Sequence, residues 1–261
     1  MTLARIIAAA ALVMLSAPAV LMLSAPALAQ VDPFEFEVYP YQIEGPGMVE
    51  IESLNSFVPK GHHGEGAGTS AGSAPSDSMY RTALEVSYGF TDKIEGAAYL
   101  NLAHPNGSGL EYAGSKYRLR GTLFEQGEMP ADFGWYAELE WWRTPQYDDE
   151  QLELELRPII EKDLGRFSLV LNPKFEKVLV GPGRNKGFEF GYATKLSWRL
   201  QRYFTPGIEF YGGTGFIDDS DPLHEQQHYI FPVVDIWLPN GLYINFGAGF
   251  GLTRGSDRVI T

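Results

Sequence analysis

The chain has 261 residues, a net charge of −13 and no cysteine. An acidic chain without a basic block argues against nucleic acid as a partner, because phosphate binding needs clustered Lys and Arg. The missing cysteines exclude disulfides, thiolate metal sites, cysteine nucleophiles and a lipidated N-terminal cysteine.

Residues 1–29 read as a secretory signal peptide. Arg5 supplies the positive start, 6–23 is apolar apart from Ser16 and Pro18, and Ala27-Leu28-Ala29 is an A-x-A cleavage site that leaves Gln30 first. The alternative is an uncleaved anchor, since the apolar run approaches spanning length. Pro18, Pro26 and the small residues before Gln30 favour cleavage. No later segment approaches the ~18 apolar residues of a transmembrane helix. An exported bacterial chain of this kind is free to reach the periplasm or the outer membrane.

In residues 30–46, Phe34, Phe36 and Val38 alternate with Glu35, Glu37 and Tyr39 before Pro40, and Gly45-Pro46-Gly47 breaks the run. This is either a strand or a periplasmic lead-in segment, and the lead-in is the expectation. Residues 48–58 form the first convincing strand. A loop rich in Gly, Ser and Ala follows over 60–78, with His62, His63 and Glu65 near its start. In 79–90, Tyr80, Leu84, Val86 and Tyr88 face one way and Arg81, Glu85 and Ser87 the other. Strands at 94–103, 112–124 and 133–143 repeat the pattern.

The clearest case is 151–157, Gln-Leu-Glu-Leu-Glu-Leu-Arg. A 3.6-residue period would scatter its leucines around a helix. A strand places Leu152, Leu154 and Leu156 on one face, and Glu153, Glu155 and Arg157 on the other. Strands continue over 166–180, where Pro173 predicts a bulge, and over 188–200, 207–217, 228–238 and 242–252. Asn240-Gly241 is a two-residue hairpin signal, and 258–261 is a final fragment.

This makes about 12 strands, in the even series of bacterial barrels. Several are longer than the ~5–6 residues usual in soluble domains and match the ~9–11 of a tilted membrane strand. Tight turns at 91–93, 161–165 and 240–241 alternate with longer loops. The predicted fold is all-β, a transmembrane up-and-down antiparallel β-barrel over 47–261. A secreted β-sandwich is its rival.

Aromatics near strand ends (Tyr80, Tyr88, Phe90, Trp135, Trp141, Phe188, Trp198, Phe250) resemble the girdles of a membrane barrel. Gly213, Gly215, Gly247, Gly249 and Gly251 fall on the opposite face, where a crowded interior needs small residues. The predicted lumen lining is Lys116, Arg118, Arg120, Glu138, Glu140, Glu153, Glu155, Arg157, Glu189, Lys195 and Arg199, with adjacent strands of opposite sign paired across the barrel. These charges either fill and rigidify a narrow lumen or line a selective pore.

His224-Glu225-Gln226-Gln227-His228 matches H-E-x-x-H, which in zinc proteases needs a helix. Here Pro222 precedes it and a β-patterned run follows, so a polar loop is expected. His62, His63 and Glu65 read as a solvated loop. No Gly-rich phosphate loop of the G-x-x-x-x-G-K-[ST] type is present. No catalytic residue, metal or cofactor is therefore assigned, although a membrane enzyme using His104, His224 or His228 is the third choice.

The signal peptide, the strand pattern and the Ser-Tyr-Gly-Phe-Thr-Asp-Lys-Ile-Glu hairpin within 80–102 resemble the proteobacterial outer-membrane barrels labelled as transporters, including the set named after a phenol meta-pathway. The resemblance implies an outer-membrane location, lipid contact and passive transport of small solutes. Such barrels end in a full strand with a terminal aromatic. This chain stops at Arg258-Val259-Ile260-Thr261, so a poorly sealed seam is expected. The leading expectation is a channel or transporter for small solutes. The alternative is a non-conducting scaffold barrel that binds a partner through a loop or the N-terminal segment.

Overall fold

The computed structural model describes residues 31–61 and 74–261. The predicted signal peptide and the His62, His63, Glu65 group lie outside the described residues. The strands are β1 (Val49–Lys60), β2 (Met79–Gly89), β3 (Ile94–His104), β4 (Glu111–Thr122), β5 (Asp132–Trp142), β6 (Leu152–Leu164), β7 (Phe167–Val180), β8 (Glu189–Trp198), β9 (Phe204–Phe216), β10 (Asp219–Ser220), β11 (Gln227–Trp237), β12 (Tyr243–Gly251) and β13 (Arg258–Ile260). A 3-10 turn, Pro182–Asn185, precedes β8.

Every pairing is antiparallel, and all join neighbours in sequence except that β9 passes the two-residue β10 to reach β11 and that β13 meets β1. β13 pairs with both β12 and β1, so the sheet closes into a twelve-stranded barrel with β10 folded back on β9. Closure at this seam rests on few pairs, Phe57 with Ile260 and Lys60 with Arg258 on one side, and Ala248 with Ile260, Gly249 with Val259 and Phe250 with Arg258 on the other. A cavity of about 690 Å³ lies beside it, bordered by 49–56, 241–245 and Thr261. Among the described residues, 49–56 of β1 pair with β2 on one side and have no ladder partner on the other.

The pleat decides which side chains point where. Leu156 is 38% and Phe246 55% exposed, whereas Glu155 is 0% and Arg157 3% exposed. Apolar side chains thus face outward and charged ones inward, opposite to a soluble barrel or a sandwich. Tyr88, Phe90, Trp141, Phe188, Trp198 and Phe250 are exposed near the strand ends, which gives the outer surface two aromatic rims.

Pro173 does not make the predicted bulge. The pairs Leu156–Phe175 and Ile160–Leu171 share one register, which brings Pro158 opposite Pro173. Neither proline has an N–H to donate, so the ladder skips them and resumes without slipping. The irregularity between β6 and β7 lies instead at Leu152/Glu153.

The segment expected to lead in from outside runs through the lumen. At the end carrying the longer loops, the Val31 N–H donates to Gln227 Oε1 (3.0 Å). At the end carrying the short turns, the Tyr41 N–H donates to Glu161 Oε2 (2.8 Å) and the Glu44 N–H to Glu95 Oε2 (2.6 Å). The chain then reverses over 45–48 into β1, with Gly47 at φ +76°. A Cβ at Gly89 would lie 2.0 Å from the Gly45 carbonyl oxygen, so this reversal needs glycine on the wall beside it.

Candidate functional site

The lumen is built from two kinds of wall. One, on β9, β11 and β13, is aromatic and aliphatic, with Tyr211, Tyr229, Phe231, Val233 and Val259 buried. Phe231 has room because β12 offers glycine opposite it. A Cβ on Gly249 would come within 2.3 Å of its ring, and one on Gly247 within 2.7 Å of Val233. The predicted inward-facing glycines therefore have a specific use here. The other wall, on β2 to β8, is ionic.

The threading segment matches both walls through its own alternation. Phe36 packs edge-on against Tyr211 and Tyr229, and tilted on Phe231 at 4.9 Å. Phe34 packs on Trp142 and Tyr147 near the loop end, in a cluster with Met79. Asp32 and Glu35 take the ionic side. Lys116 Nζ reaches Asp32, Glu35 (2.9 Å), Glu138 (3.2 Å) and Glu140 (3.4 Å). Arg157 holds Glu155 (2.6 Å) and Glu35 (3.3 Å). Tyr39 is wholly buried, and the guanidinium carbons of Arg118, Arg157 and Arg120 lie 4.9, 4.9 and 5.1 Å from its ring centre. Its hydroxyl donates to Glu35 Oε1 (2.9 Å) and lies 3.0 Å from the Tyr99 hydroxyl.

Opposite-sign pairing across neighbouring strands holds between β4 and β5, where Lys116 faces Glu140 and Arg118 faces Glu138. It fails between β5 and β6, where Glu138 faces Glu155 and Glu140 faces Glu153. Like charges directly opposite are destabilising. Here Lys116, Arg157 and Lys174 reach in diagonally, Lys174 bonding Glu155 (2.9 Å) and Glu176 (2.8 Å).

Most of the predicted lining lies inside. Lys116, Arg118, Arg120, Glu138, Glu140, Glu155 and Arg157 are buried, and Glu153 and Glu189 sit half-buried toward the loop end. Lys195 bridges Glu209 and Asp235, both at 2.8 Å. Arg199 is a correction. β8 stops at Trp198, so the alternation no longer applies, and Arg199 is exposed on Asp163 (2.9 Å) at the turn end. Missing from the predicted set were Asp32, Glu35 and Tyr39 of the threading segment, and Asn172, Glu209 and Asp235 of the wall. For Glu35 and Tyr39 the alternation of 34–39 is the only trace in the sequence, whereas Asn172, Glu209 and Asp235 lie on β7, β9 and β11, which the sequence marks as strands.

At the threaded end, the Ala74 N–H donates to the Gln146 carbonyl (2.9 Å). Here burial raises the Glu150 carboxyl above its ordinary range, against the Gly183 N–H that it accepts at 2.7 Å. The H-E-x-x-H residues lie in the approach to β11, with no helix. His228 Nδ1 is 3.0 Å from the Tyr192 hydroxyl and Nε2 is 2.8 Å from Gln226 Oε1, so both ring nitrogens are engaged. His224 pairs with its neighbour Glu225. The two histidines therefore do not form a zinc-protease pair.

No protein-family model matches the sequence, and no curated protein matches it significantly. The geometry defines the class, an all-β protein built as a closed twelve-stranded antiparallel barrel whose lumen is threaded by its own N-terminal segment.

Proposed function

We propose that the protein is an outer-membrane barrel that conducts small polar solutes, and that residues 31–44 hold it closed at rest. The outward apolar face between aromatic rims supports the membrane setting. Twelve strands enclose more than the eight whose side chains alone fill the interior, so the lumen has room for either a peptide segment or a water path. The observation that carries the reading is the chemistry of the plug. Asp32, Glu35 and Tyr39 are held by Lys116, Arg157 and other charged or polar wall groups. Water can take over such contacts one by one when the segment leaves, and the wall that remains is wettable.

A second reading, a non-conducting scaffold, is favoured by the seating of Phe36 and Phe34 on aromatic wall residues, which water does not replace. Planar-bilayer recording of refolded protein separates the two. The channel reading expects low conductance in the wild type. It expects frequent openings in Tyr39→Ala, and none when Pro33→Cys and Ser56→Cys, which replace residues joined by a 2.8 Å hydrogen bond, are linked by a thiol reagent. If the segment becomes protease-accessible in Tyr39→Ala while no current flows, conduction is wrong and the scaffold reading stands.

A further inference from the structure

Two groups of three carboxylates lie in the lumen. Glu138, Glu140 and Glu155 form one, and they already have ammonium groups among them, Lys116 and Lys174. The other joins Glu37 of the threading segment, Glu52 of β1 and Glu85 of β2, with one oxygen of each within 4.8 Å of the others.

Cations are short at this second group. Among the described residues, only Glu85 of the three has a salt-bridge partner, Arg118 at 2.6 Å, and that guanidinium also serves Glu95 at 2.9 Å. Glu85 is 3% exposed, and its Oε2 is shut off from solvent with no hydrogen-bond partner. Glu37 Oε2 is sheltered and unpartnered in the same way. A buried carboxylate oxygen without a donor carries the full cost of lost hydration. Two side chains from separate elements, each with an unpartnered oxygen, gathered with a third carboxylate, call for a ligand that accepts several oxygen lone pairs at once.

We propose that Glu37, Glu52 and Glu85 bind one divalent cation, Ca²⁺ in preference to Mg²⁺, and that the ion clamps the threading segment to the wall formed by β1 and β2. Hard cations take carboxylate oxygens. Ca²⁺ accepts six to eight oxygens in a flexible arrangement at ~2.3–2.6 Å, whereas Mg²⁺ demands a near-ideal octahedron at ~2.1 Å and gives up its waters reluctantly. The site stands on the threaded geometry alone. Any effect of the ion on conductance rests also on the channel reading.

The test is Ca²⁺ binding to chelator-treated, refolded full-length protein in detergent, by calorimetry and equilibrium dialysis. Refolding of each variant is checked by electrophoretic mobility with and without heating. One saturable Ca²⁺ site is expected, with Mg²⁺ at least tenfold weaker. Glu37→Gln and Glu52→Gln should each lower the affinity at least tenfold and abolish the Ca²⁺-dependent rise in melting temperature. Glu52→Lys, which brings its own ammonium, should fold without Ca²⁺ and ignore it. No saturable binding at millimolar Ca²⁺, or binding unchanged in both glutamine variants, overturns the site and leaves shared protons as the neutralising agent. Normal Ca²⁺ binding without current in any variant would refute the channel and leave the site intact.

Discussion

The side-chain amide of Asn172 makes both backbone hydrogen bonds of Tyr39. Its Oδ1 accepts from the Tyr39 N–H at 2.7 Å, and its Nδ2 donates to the Tyr39 carbonyl at 3.1 Å. A single wall residue thus stands in for a neighbouring strand. The threading segment crosses the lumen without joining the sheet, so its backbone groups must be met by side chains.

Asn172→Leu should therefore loosen the segment while leaving the barrel ladder in place. Two buried backbone groups lose their partners, at about 1–3 kcal/mol each. The expected outcome is faster proteolysis of the segment in folded protein, with unchanged strand content by circular dichroism. Equal proteolysis of wild type and variant would show that this amide does not hold the segment.

Lys116→Met removes the ammonium shared by Asp32, Glu35, Glu138 and Glu140. Breaking a buried ion pair by deleting one partner costs about 3–5 kcal/mol, and here four carboxylates are stranded together. A lower urea midpoint for unfolding from lipid vesicles checks this. A midpoint within error of wild type would mean that protons already neutralise the cluster.

Tyr39→Phe and Tyr39→Ala should separate two contributions. The phenylalanine keeps the ring between the guanidinium groups and loses the hydroxyl's bonds to Glu35 and Tyr99, a loss of about 1 kcal/mol. The alanine also forfeits the cation–π contacts, each about 0.5–2 kcal/mol when desolvated. Segment release measured by proteolysis should rank alanine above phenylalanine above wild type.

Gly249→Val tests the aromatic wall. The added Cβ would meet the Phe231 ring at 2.3 Å, and a displaced Phe231 unseats Phe36. Overpacking of this kind costs about 1–3 kcal/mol, to be read as a lower unfolding midpoint together with easier proteolysis of residues 31–44.

Leu156→Arg tests the solvent on the outer face. Leu156 is already exposed, so in water the substitution would be close to neutral. At the midplane of a bilayer an outward arginine costs about 2–4 kcal/mol. An unfolding midpoint in vesicles equal to wild type would sink the membrane setting.

The alternation in 151–157 was enough to fix the strand and its two faces, because a pleated strand sends successive side chains to opposite sides whatever surrounds it. That the leucines turn outward was decided by the closed ring, where Leu156 is exposed and Glu155 buried. The same logic located β2 to β5, β7 to β9, β11 and β12 to within a few residues and sorted most lumen charges correctly. It ended β6 near Ile159, however, where the strand runs on to Leu164 through most of the turn expected at 161–165. It failed for Arg199, just past the end of β8, where the chain leaves the pleat. It also failed for Pro173, whose effect depends on the Pro158 that register places across from it. Residues 34–39 show the limit most clearly. Their alternation announced a segment with an apolar side and a polar side, and that much was local. Where the segment goes depended on a closed ring presenting Phe231 on one wall and Lys116 and Asn172 on the other. Those three residues are far apart in sequence from one another and from Tyr39. Only barrel closure brings them around it, so only the tertiary structure could put a plug inside the lumen.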